Sequence, residues 1–309
     1  MFHVAGRRVF DLCGDGREVH SSIIIGEHNA RKTRRIRKTH QIISPCWWVV
    51  CFHKSTGDQR MLDSEAMDQI KVAASQLASA SSLAVITGAG ISAESGIPTF
   101  RGEGGLWRKF RAEDLATPEA FRRDPNLVWE WYDWRRQICA RALPNAAHEA
   151  LALLESRMPS FLLITQNVDG LHQRAGSKRI LEIHGNIWKA RCTACKTKFE
   201  ISETPLPSLP VLCPDCGSLA RPHIVWFGES YDESLIQEAV SFLRQCDVLL
   251  VIGTSGMVSM PGFLTEQAFR AQRIELNPEP SGITPLVQIS IRAKAAEAMP
   301  LFWERLNAG

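Results

Sequence analysis

Three short, unbroken apolar runs, each followed at once by a polar or glycine-rich turn, constrain this fold more than any other sequence feature. They span residues 83–86, 161–164 and 248–252. A fourth strand pattern, 274–277, also ends on a polar residue. Residues 63–80, which precede the first run, show helical spacing with apolar side chains at positions 67, 70, 74 and 77. Such alternation is typical of a parallel sheet covered on both faces, where ligands bind at the carboxyl ends of the strands. The sequence therefore predicts an α/β nucleotide-binding architecture.

Composition and charge exclude several classes of protein. The 309 residues are 45% hydrophobic and 22% charged, as in ordinary globular proteins, so a disordered or fibrous chain is excluded. No apolar run approaches the roughly 18 residues needed to cross a bilayer, so we expect no membrane span. Residues 61–309 hold 25 Lys/Arg and 28 Asp/Glu, a net charge of −3. This mildly acidic body predicts no direct binding of nucleic acid by phosphate neutralisation.

Residues 1–60 differ from the rest of the chain. They hold 11 Lys/Arg and 5 Asp/Glu, a net charge of +6, without a sustained helical or strand period. We interpret them as a basic N-terminal extension of uncertain order. Their four acids between positions 11 and 27 disfavour a transit peptide. A cytoplasmic protein is therefore expected, with the mitochondrial matrix as the alternative if the extension is a leader.

The first chemical motif is the string GAGISAESGIPTFR over residues 88–101. Gly88 and Gly90 allow a sharp turn and a close approach to a pyrophosphate, and the helix start that follows offers N–H groups to an anion. Ala93 stands where the dinucleotide fingerprint GxGxxG has its third glycine. A GxG pair alone is as often structural as functional, so the specific signal is the longer string.

Two CxxC pairs predict a metal site. Cys192 and Cys195 are followed, after 17 intervening residues, by Cys213 and Cys216, which is zinc-ribbon spacing. Four thiolates form a closed tetrahedral site with no open position, so the predicted zinc ion is structural. The single cysteines at positions 139 and 246 are interpreted as core residues.

A histidine is the candidate general base. TQNVDGLH at residues 165–172 follows a predicted strand, and EIHGN at 182–186 places His184 directly before a glycine turn. Imidazole is the side chain best suited to proton transfer near neutral pH. Taken alone, His184 is more readily interpreted as a hydrogen-bonded interior histidine, and its place before a glycine turn and after a polar strand end is what favours the base.

In this order, and together with PHIVWFGE at 222–229 and GTS at 253–255, the motifs strongly resemble the sirtuins, NAD-dependent protein lysine deacylases. The resemblance covers about residues 65–305. It implies that NAD is consumed as a co-substrate: the acyl oxygen displaces nicotinamide at the ribose carbon, leaving an alkylimidate. His184 then deprotonates a ribose hydroxyl, which attacks the imidate carbon, and hydrolysis releases lysine and O-acyl-ADP-ribose.

The same resemblance implies further residue roles. The implied NAD-binding residues are Gly88, Ala89, Gly90, Ile97, Phe100, Arg101, Trp107, Gln166, Asn167, Asp169, Gly253, Thr254, Ser255, Asn277, Glu279 and Ala295. Val225, Phe227 and Glu229 are implied to flank the acyl-lysine, the first two by strand-like pairing with the substrate peptide. Acylated proteins or peptides are thus the expected partners, and we expect a monomer.

One feature distinguishes among sirtuins. Tyr132 and Arg135 lie at i and i+3 of a predicted helix and so share a face, as many surface pairs do. In the desuccinylase and demalonylase branch, a Tyr-x-x-Arg here binds the carboxylate of succinyl-, malonyl- or glutaryl-lysine, to which arginine offers a bidentate fork. Ala116 matches the small residue that widens the pocket of this branch. The resemblance thus implies a preference for acidic acyl groups.

The sequence departs from the family pattern in two places. The segment 256–262 is slightly shorter than usual and lacks a common Tyr-Pro step, and Glu103 stands where a small residue is common. The first departure is expected to alter turnover or peptide preference, and the negative charge of Glu103 is expected to weaken NAD binding. Three alternatives stay open: a plain deacetylase, a protein ADP-ribosyltransferase, and a zinc-ribbon interaction module without catalysis.

The resemblance also predicts the domain organisation. A large Rossmann-like domain is expected from residues 61–107, 145–187 and 228–309. A smaller domain is expected from a helical insertion, 108–144, and the four-cysteine zinc ribbon, 188–227. The active site is expected in the cleft between them.

Overall fold

The computed structural model describes residues 62–98, 111–257 and 259–307. The basic extension over residues 1–60 lies outside them, as do Glu103 and three of the predicted NAD-binding residues, Phe100, Arg101 and Trp107. In the described part of the chain, no helix is both long and apolar enough to cross a membrane.

A six-stranded, wholly parallel sheet forms the centre of the molecule. The strands of the chain are β1 (Ser82–Thr87), β2 (Ser160–Thr165), β3 (Ile180–Glu182), β4 (Gly185–Cys192), β5 (Lys198–Glu200), β6 (Ala220–Ile224), β7 (Val248–Ile252), β8 (Gln272–Leu276) and β9 (Ile289–Ile291). The sheet order is β3-β2-β1-β7-β8-β9. Thr87 at the end of β1 pairs with Thr165 of β2 and Ile252 of β7. The predicted parallel sheet is confirmed, and its polar strand exits meet at one edge.

Helices cover both faces of this sheet. The helices are α1 (Ser64–Ser79), α2 (Gly90–Ala93), α3 (Ala112–Leu115), α4 (Pro118–Arg123), α5 (Pro125–Arg141), α6 (Ala146–Arg157), α7 (Leu171–Arg174), α8 (Glu233–Leu243), α9 (Ser259–Gln267) and α10 (Ala295–Asn307). Side chains alternate along each strand, so Leu83 and Val85 of β1 pack with α1, α6 and α10. Ala84 and Ile86 face the opposite way and pack with α8 and α9.

The helix predicted over residues 63–80 is present as α1. The Asp63 carboxylate accepts a hydrogen bond of 2.7 Å from the Ala66 N–H, which caps the first turn. Ile70, Ala74 and Leu77 of the predicted apolar stripe are buried against the sheet. Cys139 and Cys246 are also buried, as predicted.

A second core lies beside the parallel sheet. The antiparallel strands β5-β4-β6 pack with α3, α4 and α5 in one apolar cluster. Arg136 of α5 is fully buried and donates hydrogen bonds of 2.7, 2.9 and 2.7 Å to the carbonyls of Ile187, Ile201 and Glu203. These bonds tie the helical insertion to the cysteine-bearing strands. The domain boundaries stay a prediction, and β4 begins at Gly185, inside the stretch assigned to the large domain.

Candidate active site

The glycine turn after β1 is interlocked with the turn after β7. Gly253 has φ +62, and a Cβ built on it would lie 2.5 Å from the Ile91 nitrogen. A Cβ on Gly90 would lie 2.7 Å from the Gly253 carbonyl oxygen, which accepts a hydrogen bond of 2.8 Å from the Gly90 N–H. Side chains are therefore excluded at both positions. The two turns form a bare backbone surface of the kind that a pyrophosphate approaches.

A polar network lies beside these turns. The Asn167 amide donates to the Gly88 carbonyl and to the Ser92 hydroxyl, both at 3.1 Å. The Ser92 hydroxyl donates to the Asp169 carboxylate at 2.8 Å. Burial raises the pKa of Asp169, while hydrogen bonds from the Leu171 N–H and Ser92 oppose that rise. The structure thus brings Asn167 and Asp169, two predicted NAD-binding residues, together with Ser92, which sequence reasoning did not single out.

The remaining predicted NAD-binding residues extend along the strand ends. Gln166 donates to the Thr254 hydroxyl at 3.1 Å, and Asn277 donates to the Thr254 carbonyl at 3.3 Å. Ser255 and Glu279 are exposed, whereas Ala295 is buried at the start of α10. Strands β1, β2, β7 and β8 therefore each contribute residues to one continuous edge. Their individual roles toward NAD stay predictions.

A cavity connects this edge with the helical insertion. In the described part of the chain it is lined by Ala89, Ser92, Ile97, Pro98, Ala112, Trp131, Trp134, Arg135, Ile138, Cys139, Asn167, Val168 and Asp169. Predicted NAD-binding residues thus share one cavity with Arg135, which is predicted to bind the carboxylate of an acidic acyl group. Arg135 is the one cation among these lining residues.

His184 follows β3, and main-chain groups of other segments hydrogen-bond to both its ring and its own carbonyl. Its Nδ1 lies 2.8 Å from the Gln166 carbonyl oxygen. Because a carbonyl only accepts, Nδ1 carries the proton, and Nε2 of the neutral ring keeps its lone pair. Gly185 has φ +84, and a Cβ there would lie 2.0 Å from the His223 carbonyl oxygen, so the next residue must be glycine. Burial lowers the pKa of His184, although its hydrogen bond to Gln166 opposes the change.

Tyr231 is a neighbour of His184 that sequence reasoning missed. The two rings are stacked, with centroids 5.6 Å apart, and the Tyr231 hydroxyl lies 3.3 Å from His184 Nε2. Burial raises the pKa of Tyr231, so its hydroxyl stays protonated and donates toward that nitrogen. A tyrosine two residues after the Phe-Gly-Glu motif carries no local signal of this contact.

The segment after β6 approaches His184 and Ala116. The Val225 N–H donates to the His184 carbonyl at 2.9 Å, and the Phe227 N–H donates to the Ala116 carbonyl at 3.0 Å. The predicted strand-like pairing with a peptide is therefore restricted here, because both N–H groups already have partners within the chain. In this conformation, only the carbonyls of Val225 and Phe227 are left for such pairing.

Glu229 has an internal role in this structure. Its carboxylate accepts hydrogen bonds of 2.9 Å from the Trp226 N–H and from an Arg221 nitrogen. The second Arg221 nitrogen contacts the other carboxylate oxygen, so the pair is bidentate. Glu229 thus holds the turn that carries Val225 and Phe227, and its predicted contact with substrate stays a prediction.

Tyr132 and Arg135 share a helix face as predicted. The Arg135 guanidinium lies 4.9 Å from the Trp131 ring centroid and 5.6 Å from that of Tyr132. Tyr132 is fully buried, and its hydroxyl oxygen accepts a hydrogen bond of 2.9 Å from Trp226 Nε1. Burial raises the pKa of Tyr132, so the phenol stays protonated. Arg135 lines the cavity, whereas the neutral phenol of Tyr132 lies one helical turn away on the same helix and is not among the lining residues.

The four predicted cysteine ligands converge. Their sulfur atoms all lie within 4.8 Å of one another. The Sγ atoms of Cys192 and Cys216 are 3.5 Å apart, and those of Cys195 and Cys213 are 3.6 Å apart. A zinc ion with Zn–S bonds of about 2.3 Å requires sulfur separations of roughly 3.8 Å at the edges of a tetrahedron. The donor set and its spacing fit one structural zinc ion.

We expect one tightly bound zinc ion per chain, measured by elemental analysis of the purified protein. The Cys195→Ser variant should lose the metal, because it removes one of four thiolates. Cys246→Ser is the matched control: it changes a cysteine of the parallel-sheet core, so its zinc content should be unchanged. An active wild-type sample containing well under one equivalent of zinc would contradict the assignment.

Fold and site together define a dinucleotide-binding α/β protein with a second, four-cysteine subdomain. The model of the Sir2 family matches residues 88–260. The chain is 51% identical over 229 residues to the NAD-dependent protein deacylase of Aquifex aeolicus, covering 73% of this chain and 95% of that relative. The chain therefore belongs to the Sir2 family.

Solved structures agree with this membership. A Sir2 homolog–NAD complex superposes with a TM-score of 0.71 and 42% identity, covering 77% of this chain and 94% of the other. A Sir2–p53 peptide–NAD⁺ complex superposes with a TM-score of 0.67 and 28% identity, covering 78% and 99%. The predicted family, the Rossmann-like fold with a four-cysteine site and the predicted NAD-using enzyme are confirmed.

Proposed function

We propose that this protein is an NAD-dependent lysine deacylase that prefers acidic acyl groups: succinyl, malonyl and glutaryl, with acetyl removed more weakly. The products are free lysine, nicotinamide and O-acyl-ADP-ribose. Deacylation with NAD is the activity for which relatives such as the Aquifex aeolicus protein are named. The observation that supports the finer preference is the position of Arg135 in the cavity that also holds Asn167 and Asp169.

A carboxylate that enters this cavity needs a partner. An unpaired buried charge costs several kcal/mol, and a guanidinium offers it two parallel N–H donors. Trp131 supports the Arg135 side chain from the ring face, and such stacking leaves the donors in the guanidinium plane. The neutral phenol of Tyr132 is proposed to donate one further hydrogen bond to the carboxylate.

The remaining residues supply binding and proton transfer. NAD supplies the electrophilic ribose carbon. The glycine turns, together with Asn167 and Asp169, are proposed to bind the NAD molecule. His184 is proposed to take the proton of a ribose hydroxyl at Nε2, because Nδ1 is bonded to Gln166. Ala116, whose carbonyl accepts from the Phe227 N–H, is proposed to leave room for a longer acyl chain.

The test is a kinetic comparison of acetyl, malonyl, succinyl and glutaryl versions of one peptide. The acidic acyl groups should give kcat/KM values at least roughly tenfold above that of acetyl, about 1.4 kcal/mol. A higher value for acetyl would instead identify a plain deacetylase. Nicotinamide release without acyl peptide, accompanied by labelling of an acceptor protein, would identify ADP-ribosyl transfer.

A further inference from the structure

The hydrogen bond between Trp226 and Tyr132 joins two parts of the chain that are 94 residues apart. Indole Nε1 has a single hydrogen and only donates, so the Tyr132 oxygen must be the acceptor. Both side chains are nearly inaccessible to solvent, with exposed fractions of 3% for Trp226 and 0% for Tyr132. Water therefore does not compete for this contact.

This bond restricts the direction of the tyrosine proton. A phenol O–H prefers the plane of its ring, which leaves two positions for the hydrogen. The position that faces the indole hydrogen is excluded by repulsion between the two protons. The Tyr132 hydrogen is consequently directed away from Trp226. The hydroxyl can therefore donate it to an acceptor on another side.

The indole is itself held firmly. The Arg221 guanidinium lies 3.3 Å from the Trp226 ring centroid, and the Phe121 ring centroid lies at 5.3 Å. The Trp226 main-chain N–H donates to Glu229, which is also paired with Arg221. The direction of the indole N–H is therefore set by the side chains packed against the ring and by the hydrogen bond of its main chain.

We propose that Trp226 is a positioning residue for acyl selectivity, which orients the Tyr132 hydroxyl so that its O–H donates to the carboxylate of an acidic acyl group. This inference rests on the proposed function, in which Tyr132 and Arg135 bind that carboxylate. Trp226 stands between Val225 and Phe227. The segment predicted to flank the acyl-lysine therefore also carries the side chain that orients the Tyr132 hydroxyl.

The test is the ratio of kcat/KM for a succinyl peptide to kcat/KM for the matching acetyl peptide. Trp226→Phe removes the indole N–H and should lower this ratio about three- to tenfold, the effect of one neutral hydrogen bond. Trp129→Phe is the matched control. Trp129 lies on the same helix and in the same core as Tyr132, and its buried Nε1 donates at 2.9 Å to the Ala220 carbonyl. Its loss should leave the ratio unchanged.

A double variant separates orientation from packing. Once Tyr132→Phe has removed the hydroxyl, adding Trp226→Phe should lower the ratio no further. If Trp226→Phe does not fold, replacing Trp226 by β-(3-benzothienyl)alanine removes the N–H and keeps the ring size. Thermal unfolding and zinc content report whether each variant is folded.

The possible failures are distinguishable. If Tyr132→Phe lowers the ratio but Trp226→Phe leaves it unchanged, or lowers it further in the double variant, the positioning role is wrong and the proposed function stands. An equal loss with both peptides, or a ratio lowered as much by Trp129→Phe, also overturns the role, because packing then explains it. If Tyr132→Phe and Arg135→Met both leave the ratio unchanged, the proposed acyl preference is wrong and the role of Trp226 is wrong with it.

Discussion

His184→Ala is expected to lower kcat/KM for deacylation by about 10²-fold or more, the typical contribution of a general base. The loss follows from removing Nε2, the ring nitrogen that keeps its lone pair because Nδ1 donates to the Gln166 carbonyl. The measurement is steady-state turnover with saturating NAD and a succinyl peptide. Thermal unfolding and zinc content serve as controls, and the zinc content should change little because His184 is not one of the four clustered ligands. Near-wild-type turnover would exclude the base role.

The pH profile of the wild-type enzyme gives a second measurement of the same role. Burial lowers the pKa of His184 below its ordinary value of 6.5. A base works only when deprotonated, so its activity is present above the lowered pKa and is lost as the pH falls through it. The acid limb of kcat/KM should therefore lie below pH 6.5, since kcat/KM reports the free enzyme. An acid limb above pH 6.5 would contradict the lowered pKa.

Arg135→Met is expected to lower kcat/KM for a succinyl peptide by roughly 10²-fold or more, equivalent to about 3 kcal/mol. The variant leaves the carboxylate of the acyl group without its cationic partner in the cavity. Acetyl-peptide hydrolysis should change far less, because acetyl offers no charge. Tyr132→Phe should act in the same direction but more weakly, since a neutral hydrogen bond is worth about 1 kcal/mol.

Arg141→Met is the matched control for this prediction. It is the same substitution at the exposed last residue of the same helix, and Arg141 does not line the cavity. Both activities of this variant should resemble those of the wild type. Equal losses of acetyl and succinyl activity in Arg135→Met and Tyr132→Phe would mean that the pair packs the helix, and the acidic-acyl preference would be wrong.

The sequence predicted the features that depend on short stretches of chain. Apolar runs ending in polar turns indicate buried parallel strands because their period and exits are local properties. The spacing of Cys192, Cys195, Cys213 and Cys216 indicates a four-thiolate site for a similar reason, since each CxxC turn places two sulfurs together. These predictions agree with the observed parallel sheet and the clustered sulfurs.

The helical period alone does not distinguish the neighbours Arg135 and Arg136, and only the resemblance to a Tyr-x-x-Arg motif selected Arg135. Adjacent helix positions are about 100° apart, so both arginines are compatible with the same amphipathic pattern. The structure places Arg136 in the core, bonded to three carbonyls, and Arg135 at the cavity. Which arginine meets the cavity depends on how α5 packs against strands far away in the chain.

The sequence by itself determined the family, the class of fold, the metal ligands and the candidate base, because each is carried by short motifs or apolar runs whose pattern is local. Only the tertiary structure decided how these groups are held. His184 meets Tyr231 across 47 residues, and Tyr132 meets Trp226 across 94. Glu229 binds Arg221 within the chain. Such contacts depend on how the elements of the chain fold and pack together, and no local period or spacing encodes them.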